Sequence, residues 1–130
     1  MAHDKRTVWR PEPRIRPIAI GIIWRGNRLL VEQVCDDDGR VDGWRPIGGG
    51  IEFGERAGDA LKREFAEELN ETIGEPTLLT VMENHYEHYG LRGHEVAFVF
   101  EASFADPQVL QHDTFEVQEA DMTLHAQWKL

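Results

Sequence analysis

The stretch Gly48–Glu71, "GGGIEFGERAGDALKREFAEELNE", holds three consecutive glycines and six glutamates against only three basic residues. Such crowding of backbone freedom and negative charge needs a reason. From Glu55 to Leu69 the apolar residues Ala57, Ala60, Leu61, Phe65 and Leu69 recur at spacings of three and four. No proline or β-branched residue interrupts them, so the pattern predicts a helix. Asn70 stands where a helix often ends in the left-handed region, and Pro76 prevents continuation. On this helix Glu64, Glu67 and Glu68 are three and four apart and project to one face, while Leu61, Phe65 and Leu69 point toward a core.

Like charges at that spacing cost helix stability, and Lys62 and Arg63 relieve only part of it, Arg63 by pairing with Glu67 four residues on. A cluster of hard oxygen ligands is what Mg²⁺ or Mn²⁺ requires, and a bound cation would remove the repulsion. Gly48, Gly49 and Gly50 let the backbone approach closely and offer carbonyl oxygens to the same ion. Taken singly, a Glu-rich helical face is commonly a solvated surface and a glycine run a turn. Their spacing is what carries weight.

The rest of the chain sets the frame. It has 130 residues, 41% hydrophobic, which suits one domain with one core. A formal net charge of −10 argues against nonspecific nucleic-acid binding, though a divalent cation would let an acidic surface accept a phosphorylated ligand. One cysteine, Cys35, excludes an internal disulfide framework, suits a reducing cytoplasmic location and reads as a small hydrophobe in a strand. No apolar run approaches the roughly 20 residues of a membrane-spanning helix, so no membrane partner is expected.

Residues 1–14 are polar and proline-rich and read as a flexible N-terminal arm. "IRPIAIGIIWRGNRLLVEQV" predicts two strands joined at Gly26-Asn27. "CDDDGRVDG" reads as a loop, "TLLTVMENHY" and "HEVAFVFEASF" as strands split by the loop "EHYGLRG", and "ADPQ" as a turn. In "TLHAQWKL" an alternation puts Leu124, Ala126 and Trp128 on one face of a last strand. The sum is a single α/β domain over residues 1–130.

The run from Gly49 resembles the Nudix box, G-x5-E-x7-R-E-U-x-E-E-x-G-U, where U is aliphatic. Gly49 is followed by Glu55, Arg63-Glu64, the apolar Phe65, and Glu67-Glu68 at the pattern's spacings. The preceding "WRPIGG" is similar to the approach common in that family. Two positions depart, Asn70 for the late glycine and Glu71 for the last aliphatic residue, with Ile73 expected to fill the apolar gap.

The resemblance implies a Nudix-type α/β/α sandwich with a mixed β-sheet. A form without the usual C-terminal helix is the expectation, the sequence ending at Leu130, whether naturally short or truncated there. It also implies Mg²⁺- or Mn²⁺-dependent hydrolysis of a pyrophosphate bond in a nucleoside diphosphate linked to another moiety: a nucleoside triphosphate, dinucleoside polyphosphate or nucleotide sugar. The alternative is a Nudix-like domain that binds a nucleotide without turnover. By the same resemblance Glu67 and Glu68 are metal ligands, Glu64 is a third ligand or a base, and the carbonyl of Gly48 or Gly49 completes the shell. Arg63 and Glu55 orient these groups. A further acidic residue is expected from Asp113, Glu116, Glu119 or Asp121, with Glu119 favoured. Arg14, Arg16 and Arg25 are candidates for phosphates, and Trp44, Tyr86 and Tyr89 for stacking on a base. A homodimer is one way to cover sheet surface left by a missing helix.

Overall fold

The computed structural model describes residues 10–36, 38–119 and 122–130. Eight strands run in chain order: β1 (Ile15–Ile22), β2 (Trp24–Arg25), β3 (Arg28–Cys35), β4 (Val41–Gly50), β5 (Thr77–His88), β6 (Leu91–Glu101), β7 (Thr114–Glu119) and β8 (Met122–Lys129). One helix, α1 (Ala57–Leu69), follows β4, and a short 3-10 turn (Pro107–Gln111) precedes β7. The strands lie in the order β5-β6-β1-β4-β3-β8-β7, with β2 paired to β3. Only β1 and β6 are parallel, so the sheet is mixed. Among the described residues α1 is the one α-helix, packed against β1, β4 and β7.

β4 belongs to two halves of the sheet at once. Its first part, Val41 to Pro46, pairs with β3, and its glycines pair with Ile18–Ile20 of β1. A Cβ on Gly48 would collide with the carbonyl oxygen of Ala19, so only glycine lets the strand close on β1 there. The glycine run is therefore strand rather than loop.

The core is built from both halves and the helix: Leu30, Ile47, Leu61, Phe65, Val117 and Ala126 are fully buried within it. Phe65 meets Phe104 edge to face, with centroids 6.1 Å apart. α1 ends as its sequence requires. Asn70 takes φ 56, ψ 39, and its N–H reaches the carbonyl of Ala66. Ile73, rather than Glu71, is buried and bridges to Phe104. Cys35 is buried in the same core.

Several boundaries differ from expectation. The helix begins at Ala57 instead of Glu55, because the Glu55 carboxylate is turned back to Arg63 and the Glu52 N–H. Of the acidic candidates beyond the helix, Glu116 and Glu119 stand on β7. "EHYGLRG" is mostly strand, with the reversal confined to Tyr89-Gly90, both at positive φ. The Gly26-Asn27 turn joins β3 only to the two-residue β2, while β1 pairs with β4 and β6. Residues 1–9 of the expected arm lie outside the described residues. Of its described residues, Pro11 is buried and the Arg10 guanidinium lies 3.5 Å from the Tyr89 ring centroid, while Glu12, Pro13 and Arg14 are exposed.

Candidate active site

Three elements each carry a carboxylate on the face their buried apolar residues occupy, and the three carboxylates converge. In β3 the core-facing Leu30 is followed two residues on by Glu32, which is 0% exposed. In α1 the stripe Leu61, Phe65 continues to Glu68, 8% exposed. In β7 the buried Phe115 and Val117 are followed on the same face by Glu119. Oxygens of Glu32, Glu68 and Glu119 lie within 4.8 Å of one another. Arg45, the cross-strand neighbour of Glu32, ties two of them: its Nε donates to Glu32 Oε1 at 2.8 Å, and its Nη2 to both Glu119 oxygens at 2.8 and 3.1 Å. Glu32 Oε2 and Glu68 Oε1 are buried with no hydrogen-bond partner.

Burial, followed by the charge of Glu32, pushes the Glu68 carboxyl far above the usual carboxylate range. Burial also raises Glu32, to about 7, with Arg45 partly offsetting it. For Arg45 burial opposes the charge, but Glu32 and then Glu119 more than compensate, and the group stays protonated.

Arg63 organises the other carboxylates. Its Nε and Nη2 make a two-pronged contact with Glu55 at 2.7 and 3.0 Å, its Nη2 reaches the Gly50 carbonyl at 2.9 Å, and its Nη1 reaches Glu64 at 2.9 Å and Glu67 at 3.2 Å. The hydrogen bonds from Arg63 hold the Glu55 carboxyl down to about 2. Glu64 lies over the glycine strand: a Cβ on Gly49 would stand 2.6 Å from the Glu64 carboxyl carbon.

These groups open onto a cleft of about 550 Å³, whose lining includes Gly48, Gly49, Gly50, Glu64, Glu67, Glu68, Arg45 and Glu119. Its opposite wall comes from β1, β5 and β6, with Arg16, Ile18, Met82, Asn84 and Glu95, while Gln118 enters from β7. Arg16 donates to Glu95 at 3.1 Å, and the Tyr86 hydroxyl donates to the same carboxylate at 3.2 Å while its ring packs over Gly93. Tyr86 thus reaches the cleft wall through Glu95. The other four candidates for substrate contact do not line the cleft, Arg14 being exposed and 3.6 Å from Glu12. Arg25 donates to the Leu110 and His112 carbonyls and to Asp113, and covers the Trp128 ring. Trp44 lies under the Lys129 ammonium. Tyr89 sits at the β5–β6 turn under Arg10. Asp113 and Glu116 are exposed, and Asp121 is outside the described residues. His85 and His94 stack at 4.0 Å beside Glu83, on strand positions alternate to the cleft-lining Met82, Asn84 and Glu95.

Glu32 and Arg45 were not singled out by sequence reasoning. The signal was a charged residue at opposed positions of two neighbouring strands. It was masked because Leu29, Leu30 and Val31 are all apolar, leaving no alternation to say which face of β3 is inside.

The NUDIX domain family model matches residues 14–128. Nucleoside triphosphatase NudI of Escherichia coli O139:H28 is 43% identical over 61 residues, 46% of this chain and 43% of that protein. The chain's match therefore spans less than half the length of the curated relative. NudI of Escherichia fergusonii is 41% identical over the same length. Among solved structures, a MutT NUDIX hydrolase from Burkholderia pseudomallei superposes with TM-score 0.65 at 24% identity, covering 89% of this chain and 83% of its own. A UDP-X diphosphatase superposes with TM-score 0.62 at 18% identity over 92% of this chain and 53% of its own. These likenesses show the fold. With the family match spanning nearly the whole chain, this protein belongs to the NUDIX family.

Proposed function

We propose that this chain is a cytoplasmic pyrophosphohydrolase, hydrolysing a nucleoside diphosphate linked to another moiety with the help of Mg²⁺ or Mn²⁺. The carrying observation is the convergence of Glu64, Glu67 and Glu68 with the glycine strand beside buried, unpartnered carboxylate oxygens. The donor set fits a hard divalent cation: all-oxygen, anionic, and unbalanced without positive charge. Glu67, Glu68 and the Gly48 or Gly49 carbonyl would hold it. When bound, the ion supplies charge neutralisation on the diphosphate and acidifies a water. Arg63 fixes the direction of Glu64 and Glu67 through its fork with Glu55. Glu64, with one oxygen held by Arg63, serves as a further ligand or takes the water's proton. The water oxygen forms a bond to one phosphorus as the bridging P–O bond breaks, and the bridging oxygen leaves with the other product. Glu119 holds Arg45 in place, each of its oxygens accepting one hydrogen bond from that guanidinium and retaining a further lone pair. Arg16, anchored on Glu95, faces the cleft as the candidate for a substrate phosphate.

NudI is named a nucleoside triphosphatase and one structural neighbour a UDP-X diphosphatase, so the assay must span both substrate kinds. The test is release of phosphate or nucleoside monophosphate from nucleoside triphosphates, dinucleoside polyphosphates and nucleotide sugars, with Mg²⁺ or Mn²⁺, beside Glu68→Gln. We expect metal-dependent release from one class and its loss in the variant, by about 10²–10⁴-fold. Nucleotides that raise the melting temperature without turnover would replace the enzyme with a binding module. A second copy of the chain is the partner we infer for β5, one of the two outermost strands among the described residues and the one that exposes Leu78, Leu79, Val81 and Met82. Antiparallel pairing about Asn84 sets Glu83 of each copy opposite His85 of the other.

A further inference from the structure

Resting on the reading above, we propose that Glu32, a strand residue outside the glycine–helix motif, is itself a ligand of a divalent cation, held with Glu68 and Glu119 at the buried end of the cleft. Glu32 is wholly enclosed, its Oε1 taken by Arg45 and its Oε2 by nothing. Glu68 presents a second unpartnered oxygen from the facing helix. Buried polar atoms without partners are rare and costly, and two carboxylate oxygens facing one another need something positive between them. Only a shared proton or a cation meets that need.

Charge favours the cation. Arg45 bonds Glu32 and Glu119; with all three carboxylates ionised, as ligation requires, that one guanidinium leaves two negative charges, the charge of one Mg²⁺ or Mn²⁺. Arg63 is committed to Glu55, Glu64 and Glu67, and Arg16 to Glu95. Oxygens already within 4.8 Å of one another need little movement to share an ion. Three different elements supply these groups, each from the face that its buried apolar residues occupy. An all-apolar end would pack better, so a carboxylate retained on each element marks a site rather than a packing solution. Ligation from β3, α1 and β7 would also tie the β3-β8-β7 half of the sheet to the helix.

The experiment is Mn²⁺ titration of the full chain by calorimetry, with electron paramagnetic resonance to count bound ions, on the wild type, Glu32→Gln and Glu68→Gln. Glutamine keeps the carbonyl that accepts from Arg45 but offers no anionic oxygen. We expect Glu32→Gln to lose one bound ion or to weaken Mn²⁺ about 10–100-fold, and to lose most of the metal-induced rise in melting temperature. Unchanged stoichiometry and affinity in Glu32→Gln, with Glu68→Gln weakened, would overturn this inference alone and leave Glu32 sharing a proton with Glu68. Unchanged binding in both variants, or no binding by the wild type, would overturn the metal-dependent reading as well. If Glu32→Gln does not fold, Glu32→Asp is decisive instead: it keeps the charge and withdraws it by one methylene, so undiminished Mn²⁺ affinity counts against ligation.

Discussion

Neighbouring glycines in the β4 run do different work, and substitution separates them. Gly48 has no room for a Cβ because backbone of β1 fills the space, whereas at Gly49 the obstacle is the end of the Glu64 side chain. Gly48→Ala is expected to cost about 1–3 kcal/mol of stability through a forced shift of β4 from β1. Gly49→Ala leaves the fold nearly intact and displaces Glu64, lowering turnover about 10–100-fold. Thermal melts beside kcat measurements distinguish the two, and a large stability loss at Gly49 with unchanged turnover would contradict this assignment. The Arg63–Glu55 fork makes a pH prediction. The folded Glu55 carboxyl sits near 2 against an ordinary value of 4.5, so its stabilising contribution is complete above pH 4.5 and is lost as pH falls toward 2. The stability difference between wild type and Glu55→Gln should hold constant above that window and shrink within it, which acid unfolding curves measure.

At the scale of single elements, α1 is closed by a non-glycine residue in the left-handed region. Asparagine tolerates that conformation, which is why departure from a glycine here leaves the helix end intact. Asn70→Gly should change stability by less than about 1 kcal/mol, whereas the β-branched Asn70→Val should cost about 1–2 kcal/mol. Denaturant melts of the two variants read the difference, and equal midpoints would mean that the cap does not matter. β7 shows how an element hides in polar sequence. Phe115 and Val117 alternate with Thr114, Glu116 and Gln118, yet six residues of which two are buried hydrophobes resemble an acidic loop until β8 supplies the pairing edge. The strand matters for function because its inward face ends at Glu119.

For the molecule as a whole, Phe65 couples the helix to both halves of the sheet and contacts the segment after β6 through Phe104. Phe65→Ala should cost about 3–5 kcal/mol, lowering the melting temperature with or without metal. A loss confined to the metal-free protein would show that the site, not the core, joins these parts. The β5 edge exposes Leu78, Leu79, Val81 and Met82. If two copies pair there, His85→Glu sets like charges across the interface and should yield monomer in sedimentation velocity. Exchanging the two residues, Glu83→His with His85→Glu, should restore the dimer. A species unchanged by either would exclude this pairing.

Local chemistry carried the helix and its spacing of carboxylates, because the relation of Glu64, Glu67 and Glu68 follows from 3.6 residues per turn and needs no partner. The left-handed cap and the Arg63 pairing with Glu67 were readable on the same ground. Glu32 and Arg45 were not, nor was the choice of Arg16 over Arg25 at the cleft, nor the removal of Trp44 and Tyr89 from it. Those depend on which strands become neighbours and which face of β3 turns inward. Pairing partners distant along the chain decide both, and a local stretch of sequence holds no record of what lies across from it.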